Sequence, residues 1–127
     1  MLKTSAKELV AEANARVESL ASELAVKLVG DPTVLFVDVR EPPEVANTGM
    51  VEGAINVPRG VLEFAVDPAT PTHRAEFGQD RRLVLYCGSG ARSALAARTL
   101  QQMGLAHVVH VPGGFAALKE AGARIQS

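Results

Sequence analysis

Aromatic residues and net charge are both scarce in this chain. It has no tryptophan and one tyrosine among 127 residues, and its formal net charge is −1. Proteins that bind single-stranded nucleic acid stack the bases on aromatic side chains, and proteins that bind phosphate backbones or anionic lipids carry a marked positive charge. We therefore expect neither a nucleic acid nor a membrane among the partners of this protein.

Cysteine is equally scarce, since Cys87 is the only one. One thiol cannot form a disulfide within the chain or build a cysteine zinc site, and His73, His107 and His110 lack the spacing of metal ligands. We expect no metal and no cofactor. The sequence shows no signal peptide and no apolar run long enough to span a bilayer, and a lone thiol suits a reducing compartment. These features predict a cytoplasmic location.

Short apolar runs rich in β-branched residues recur along the chain. They predict four strands, at residues 34–39, 54–57, 82–86 and 107–111. The first of these does not alternate between polar and apolar residues, which is typical of a strand buried on both faces of a parallel sheet. For residues 16–20 the pattern does not distinguish a link between helices from a short strand.

Helical periodicity and capping residues predict the elements between the strands. Ser5 followed by Glu8 is a capping box for a first helix, and a second apolar run, residues 24–29, ends at Gly30. Further helices are predicted near residues 61–65, 92–103 and 115–121, with residues 67–80 as a surface loop. Strands that alternate with helices predict an α/β fold with a parallel sheet and helices on both faces.

Cys87 lies where such a fold places its functional groups, beyond the carboxyl end of a strand. It follows strand 82–86 directly and precedes helix 92–103. A loop that enters a helix N-terminus points several backbone N–H groups at one spot. Gly88 and Gly90 allow a tight curl with positive φ, and Arg92 adds a fixed positive charge.

These surroundings favour an anion at the thiol. We expect backbone amides and Arg92 to lower the pKa of Cys87, which gives a nucleophilic thiolate without a neighbouring histidine base. The same loop can hold a substrate oxyanion or the terminal sulfur of a persulfide. The alternative interpretation is an inert, buried cysteine in an ordinary strand–helix turn. The loop pattern alone leaves both open.

A family resemblance extends over four segments of the chain. Residues 37–42 (VDVREP), 49–58 (GMVEGAINVP), 87–93 (CGSGARS) and 113–122 (GGFAALKEAG) resemble, in the same order, the DVREP, GHIxGAxNIP, C-x4-R and GGxxAWxxAG segments of rhodanese-homology domains of the single-domain thiosulfate sulfurtransferase type. The resemblance implies a rhodanese-like three-layer α/β fold with a central, mostly parallel sheet of about five strands. We predict an N-terminal helical extension at residues 1–15 and a rhodanese-like domain at residues 16–127.

The resemblance also implies an activity. Cys87 would be the catalytic residue of a sulfurtransferase, which takes sulfane sulfur from thiosulfate or a persulfide donor and passes it to a thiophilic acceptor. The expected partners are a small anionic sulfur donor and a thiol or cyanide as acceptor. A protein that accepts sulfur is an alternative acceptor. The residues expected to bind substrate are Gly88, Ser89, Gly90, Ala91 and Arg92.

Five residues outside the Cys87 loop are considered for supporting, packing or surface roles. Asp38 and Arg40 are expected to support the site as a pair at a strand end. The sequence departs from the family pattern at Met50, where histidine is usual, and at Leu118, where tryptophan is common, and we interpret both as changes in packing. Arg59 is either an attractor of the anionic donor or an ordinary surface arginine.

The three histidines are expected to lie at the surface or to have their hydrogen bonds satisfied. His107 and His110 are three residues apart on a predicted strand, so they should face opposite sides of the sheet.

Loop length favours sulfur over phosphate chemistry. Related phosphatases and arsenate reductases use C-x5-R, whereas four residues separate Cys87 from Arg92 here. The smaller ring suits a single sulfur atom better than a tetrahedral phosphoryl group. Two alternatives stay open, a non-catalytic or sulfur-carrier module of the same fold and, with less support, a small phosphatase or arsenate reductase.

Overall fold

One parallel sheet organises the protein, as a computed structural model that describes residues 1–127 shows. Its five strands are Glu18–Ser19 (β1), Val34–Asp38 (β2), Ile55–Asn56 (β4), Arg82–Tyr86 (β5) and Val108–His110 (β6), in the spatial order β1-β6-β5-β2-β4. Met50–Val51 (β3) and Ile125–Gln126 (β7) form a separate antiparallel pair. Sequence neighbours in the large sheet are joined through helices, as parallel pairing requires.

The two central strands set the register of the sheet. β2 and β5 pair along their whole length, from Val34 opposite Arg82 to Asp38 opposite Tyr86. Both strands are buried on both faces after their first residue, which explains why their sequences are continuous apolar runs. Their carboxyl ends therefore lie side by side, with Asp38 ending one strand and Cys87 following the other.

Six α-helices cover the sheet. They are Ala6–Arg16 (α1), Ser22–Ala25 (α2), Pro42–Thr48 (α3), Leu62–Val66 (α4), Ala91–Gln102 (α5) and Gly114–Glu120 (α6), with 3₁₀ turns at Val26–Leu28, Arg59–Val61 and Ala75–Gly78. None of the helices is long and apolar enough to cross a membrane.

Two hydrophobic clusters lie on opposite faces of the sheet. Alternate residues of the strands point to opposite sides, so Leu35 and Leu83 pack with Leu100 of α5, whereas Phe36 and Val84 join the other cluster. That second cluster also contains Ala25, Phe115 and Leu118, from α2 and α6. The result is the three-layer α/β arrangement with a five-stranded parallel sheet that the sequence predicts.

The N-terminal helix is packed against the domain. Ser5 and Glu8 form the predicted capping box at its start. At its other end, the side-chain amide of Gln101 in α5 donates to the carbonyl oxygen of Arg16 at 2.8 Å. The chain then enters β1, an edge strand paired with β6. Residues 16–20 therefore contain the end of a helix and a short strand, which answers the question that the sequence pattern left open. The division between residues 15 and 16 stays a prediction.

Some elements differ from the expected ones. The segment that begins at Pro42 is a helix because proline fits the first turn of a helix, and Glu41 and Glu44 form a capping box there. No helix was predicted here from the sequence, because prolines that follow a strand are also typical of a strand end. The surface loop predicted at residues 67–80 has no buried residue, and it contains a 3₁₀ turn, Ala75–Gly78, that was not predicted.

Candidate active site

Cys87 begins the loop that joins β5 to α5. The loop turns at Gly90, which has a φ of 109° and is the last residue before the helix. A Cβ on Gly90 would lie 3.1 Å from the backbone nitrogen of Gly113. Glycine is therefore required here both by the left-handed backbone and by the close approach of the turn before α6.

The thiol sulfur lies inside the curve of this loop. The backbone N–H groups of Gly90 and Ser93 donate to Sγ of Cys87 at donor-to-sulfur distances of 3.1 and 3.4 Å. The hydroxyl oxygen of Ser93 lies 3.6 Å from the same sulfur. Cys87 is 1% exposed, so a reacting partner has to reach it through the mouth of the loop.

The pKa of Cys87 reflects a competition between burial and hydrogen bonding. Burial by itself raises the pKa of the thiol, because a thiolate is poorly solvated inside a protein. Hydrogen bonds from Ser93, Gly90 and Ser89 stabilise the thiolate and outweigh burial, so the pKa of Cys87 is lowered. This direction agrees with the expectation from the sequence, and backbone amides are its main source.

The remaining loop residues form a small-residue rim around the sulfur. Ser89 and Ala91 are exposed, and Gly88 is half-buried. The expected positive φ is found at Gly90 but not at Gly88, so the prediction was wrong for Gly88. A Cβ at position 88 would lie 3.3 Å from the Arg92 guanidinium, so that side chain would have to shift slightly to accept one.

Arg92 lies beside the loop, and its charge is already paired. Its two terminal nitrogens donate to the carboxylate of Glu44 in α3 at 2.6 and 2.9 Å. Both side chains are 39% exposed. The hydrogen bond from Arg92 lowers the pKa of Glu44 to about 2. Its role in substrate binding stays a prediction, and any anion that binds Arg92 has to compete with Glu44.

Asp38 and Arg40 form a buried ion pair below the site. Asp38 is 0% exposed and Arg40 is 3% exposed, and their closest atoms are 2.7 Å apart. Arg40 also donates to the carbonyl oxygen of Gly49 at 2.9 Å and lies 4.2 Å from the ring centre of Phe115. The pair thus ties the end of β2 to the segments before β3 and in α6. Its supporting role at the site stays a prediction, since it makes no hydrogen bond to residues 87–92.

The start of α6 closes against the back of the loop. The backbone N–H of Phe115 donates to the carbonyl oxygen of Cys87 at 2.7 Å. At Gly114, φ is 61° and a Cβ would overlap that carbonyl oxygen and lie 2.6 Å from the carbonyl oxygen of Gly88. The glycine pair Gly113–Gly114 at the start of α6 is what allows this contact.

Four residues near the site were not identified from the sequence. Ser93 bonds the sulfur, and Glu44 holds Arg92. His110 is buried, with Nδ1 3.1 Å from the hydroxyl oxygen of Ser93 and Nε2 3.0 Å from Oδ1 of Asn14. A polar residue on the buried side of a helix, as at Ser93, and a histidine in an apolar strand were the available signals. Nothing in the sequence marks Glu44 or Asn14.

Known proteins resemble this chain over most of its length. The family model described as a rhodanese-like domain matches residues 21–121. A sulfurtransferase from Allochromatium vinosum is 36% identical over 97 residues, which cover 76% of this chain and 82% of that protein. The chain belongs to the rhodanese-like family. The family resemblance noted in the sequence is confirmed, and with it membership of a family of sulfurtransferases.

Two further proteins are similar to this rhodanese-like domain. A mitochondrial protein of Schizosaccharomyces pombe, whose name proposes a thiosulfate sulfurtransferase, is 29% identical, over 72% of this chain and 68% of that protein. The structure of a protein of unknown function from Rhodopseudomonas palustris, described as a possible tyrosine phosphatase, is 40% identical with a TM-score of 0.93. That match covers 99% of this chain and 97% of the other, so it includes α1, which lies outside the residues matched by the family model.

The two departures from the family pattern lie in packed positions of this rhodanese-like domain. Leu118 is 0% exposed and belongs to the cluster around Phe115. Met50 is half-buried in β3 and packs against the same cluster. Both positions agree with the interpretation as changes in packing.

Proposed function

We propose that this rhodanese-like domain moves sulfane sulfur from thiosulfate or a persulfide donor to a thiophilic acceptor through a persulfide on Cys87. The observation that carries this proposal is the position of Sγ, which accepts N–H bonds from Gly90 and Ser93 inside the loop. Preorganised amides of this kind stabilise negative charge without a cost of reorganisation. They support a thiolate first and a persulfide anion afterwards.

The proposed reaction runs in two balanced halves. The Cys87 thiolate attacks the outer sulfur of thiosulfate, the bond between the two donor sulfurs breaks, and sulfite leaves with the bonding electron pair. Cys87 then carries a persulfide anion. Cyanide or a thiolate attacks the outer sulfur of that persulfide, and the Cys87 thiolate leaves. Each half conserves charge, and the sequence of events is a ping-pong scheme.

The acceptor in this scheme is another molecule. Cys87 is the only cysteine, so no second thiol of the chain can take the sulfur as a disulfide forms. A small thiol or a partner protein with an exposed thiol fits this requirement. A single thiol that has to return to the reduced form also suits the cytoplasm, where thiols are kept reduced.

Arg92 is proposed to orient an anionic donor at the rim of the loop. Its guanidinium lies beside Gly88 and can bind a planar or tetrahedral anion with two parallel N–H bonds. In the free protein those bonds go to Glu44. The proposed role is thus an exchange, in which the donor replaces Glu44 on part of the guanidinium.

Mass spectrometry of the intact protein tests the persulfide directly. After treatment with thiosulfate and removal of the excess, we expect a species heavier by one sulfur atom, and its loss on addition of cyanide with release of thiocyanate. Cys87→Ser is the matched control and should show neither. An unmodified wild-type protein after treatment with thiosulfate and with glutathione persulfide would refute the proposal.

Phosphoryl transfer is the second candidate, because of the description attached to the similar R. palustris structure. The four-residue spacing between Cys87 and Arg92 argues against it. Hydrolysis of an aryl phosphate by the wild type but not by Cys87→Ser would establish this activity. If the persulfide forms but turnover is negligible with every small acceptor, the sulfur-carrier alternative is the correct one.

A further inference from the structure

A line of hydrogen-bonded side chains runs from the thiol of Cys87 to the outer layer of the protein. Sγ lies 3.6 Å from the hydroxyl oxygen of Ser93, which lies 3.1 Å from Nδ1 of His110. On the other side of the imidazole, Nε2 lies 3.0 Å from Oδ1 of Asn14. The line joins the β5 loop, α5, β6 and α1, and three of its members are buried.

The hydrogens can be placed consistently when the thiol is neutral. Oδ1 of Asn14 is an acceptor only, so Nε2 of His110 carries a hydrogen and donates it. Nδ1 of a neutral imidazole is then an acceptor, and it can receive the hydroxyl hydrogen of Ser93, which also has the carbonyl oxygen of Gly90 within reach at 3.2 Å. The oxygen of Ser93 in turn can accept the S–H of Cys87. Every group in the line has a partner in this state.

Every group in this hydrogen-bonded line also has a partner when Cys87 is a thiolate and His110 is an imidazolium. Nε2–H still donates to Asn14, Nδ1–H donates to the Ser93 oxygen, and the Ser93 hydroxyl donates to the thiolate. Two proton shifts connect the two states: the S–H bond breaks as an O–H bond forms, and the original O–H bond of Ser93 breaks as the Nδ1–H bond forms. Asn14 keeps the same orientation throughout.

We propose that His110 takes the proton of Cys87 through the hydroxyl of Ser93, with Asn14 holding the imidazole in the required orientation. This inference rests on the proposed function, in which the thiolate of Cys87 is the nucleophile, and it differs from the expectation that the thiolate forms without a histidine base. The thiolate and the persulfide anion each carry one negative charge. The proton therefore stays on His110 through both halves of the reaction, and no proton has to be exchanged with solvent during turnover.

Acidic side chains on the elements that pack against His110 are paired with arginines, so the thiolate of Cys87 is the counterion that remains for an imidazolium. On the side of α5 and α1, Glu12 pairs with Arg98 at 3.2 Å, and Arg92 is held by Glu44 at the far end of the loop. On the neighbouring edge strand, Glu18 pairs with Arg82 at 3.4 Å. Burial lowers the pKa of His110, and no acidic side chain opposes that effect. A proton on His110 thus depends on negative charge at Cys87.

Alkylation by iodoacetamide measures the thiolate without any sulfur donor. Because Cys87 is the only cysteine, the mass of the intact protein reports its modification. In His110→Gln the side chain can still accept a hydrogen bond from Ser93 but cannot take the proton. We expect about tenfold slower alkylation at neutral pH, since thiolate is the reactive form. His107→Gln, which changes the exposed histidine just before β6, should react like the wild type.

The direction of the effect separates the proposal from its competitors. An unchanged rate in His110→Gln would mean that His110 only packs, and a faster rate would mean that it draws the Ser93 hydroxyl away from the thiolate. Either result overturns the proposal. If His110→Gln fails to fold, Asn14→Asp is the second test of the relay. Asn14 is exposed, so this substitution should leave the fold intact. A carboxylate at Nε2 favours the imidazolium, so this variant should retain the thiolate at lower pH than the wild type, and the opposite shift would contradict the proposal.

The protonation of His110 can also be observed directly. Two-bond ¹H–¹⁵N correlations distinguish an imidazolium from a neutral ring with its hydrogen on Nε2. We expect an imidazolium in the wild type at neutral pH and the neutral ring in Cys87→Ala, and identical spectra would refute the relay. These readouts need no sulfur transfer. If the wild type forms a persulfide but the protonation of His110 does not depend on Cys87, only the proton relay is refuted. If the protonation depends on Cys87 but no persulfide forms, only the proposed function is refuted.

Discussion

The two arginines of the candidate site make the same kind of contact in opposite surroundings. Arg40 binds the carboxylate of Asp38, and Arg92 binds that of Glu44, each with two guanidinium nitrogens. The first pair is almost completely buried, whereas both partners of the second are 39% exposed. Arg40 also binds Gly49 and Thr48 and stacks over Phe115, but Arg92 has only Glu44.

Burial decides what each ion pair can do. A buried charge that loses its partner has no water to replace it, so the Asp38–Arg40 pair is fixed once the protein folds. A half-exposed pair gains little because water competes for both charges. The Glu44–Arg92 pair can therefore open for an incoming anion at small cost. One pair thus holds elements together, and the other is available for exchange during a reaction.

Removing Arg40 should produce the largest effect. In Arg40→Met, Asp38 is left as a buried charge without a partner, and we expect the free energy of unfolding to fall by about 3–5 kcal/mol. Urea denaturation measures this loss. The double variant Asp38→Asn with Arg40→Met removes the unpaired charge and should recover part of it. A single variant as stable as the wild type would show that the two pairs do not differ as proposed.

Removing Arg92 should affect activity rather than stability. Arg92→Ala loses one exposed pair, so we expect unfolding to change by less than about 1 kcal/mol. The loss of charged hydrogen bonds to the donor should lower kcat/KM for thiosulfate by about tenfold to a hundredfold. Arg59→Ala, at an exposed arginine, is the comparison variant: a rate near the wild type would make Arg59 an ordinary surface arginine, and a loss would make it an attractor of the donor. Equal rates in wild type and Arg92→Ala would remove Arg92 from the site.

Releasing Arg92 from Glu44 should act in the opposite direction. Glu44→Gln keeps the size of the side chain and removes the charge that competes with an anionic donor. We expect kcat/KM for thiosulfate to rise by up to about fivefold, the equivalent of one exposed ion pair. A sulfane-sulfur donor that carries no charge should show no such gain. A lower rate with thiosulfate would mean that Glu44 positions Arg92 instead of competing for it.

The smallest effect is expected from pH. Arg92 lowers the pKa of Glu44 to about 2, and an acid with a lowered pKa stays ionised at every pH well above that value. Between pH 7 and 4 the Glu44–Arg92 pair should therefore persist in the wild type. The ratio of kcat/KM between Glu44→Gln and wild type should then vary less than about twofold over this range. A ratio that approaches one near pH 4 would place the pKa of Glu44 much higher.

The central part of the fold could be predicted because its signals are local. Apart from the charged residue at one end of each strand, β2 and β5 are continuous apolar runs, and the capping box at Ser5 is a short-range pattern. Pro42 was misjudged since proline both ends strands and begins helices. The short strands β1, β3 and β7 carry two residues each, too few for any periodicity.

In the candidate site, too, only the features that depend on neighbouring residues could be predicted. Cys87 and its loop are contiguous, so the sequence predicts the position of the thiol and that backbone amides point at it, although it does not single out Ser93 as a donor. Glu44, His110 and Asn14 reach the site from α3, β6 and α1, and their contacts depend on how the layers pack. Arg92 was correctly placed beside the loop, but its partner in α3 is 48 positions away in the chain. Spacing rules do not extend over such distances.

The pairing of β1 with β6 has a consequence for the order of folding. Glu18 lies opposite Val109, and the side chain of Asn14 meets His110, so α1 and β1 can take their places only after β6 has been made. Contacts between such distant parts of a sequence are costly to close and form late. The β2–β5 core can assemble earlier, and α1 with β1 then adds the sheet's outermost strand as one of the last steps.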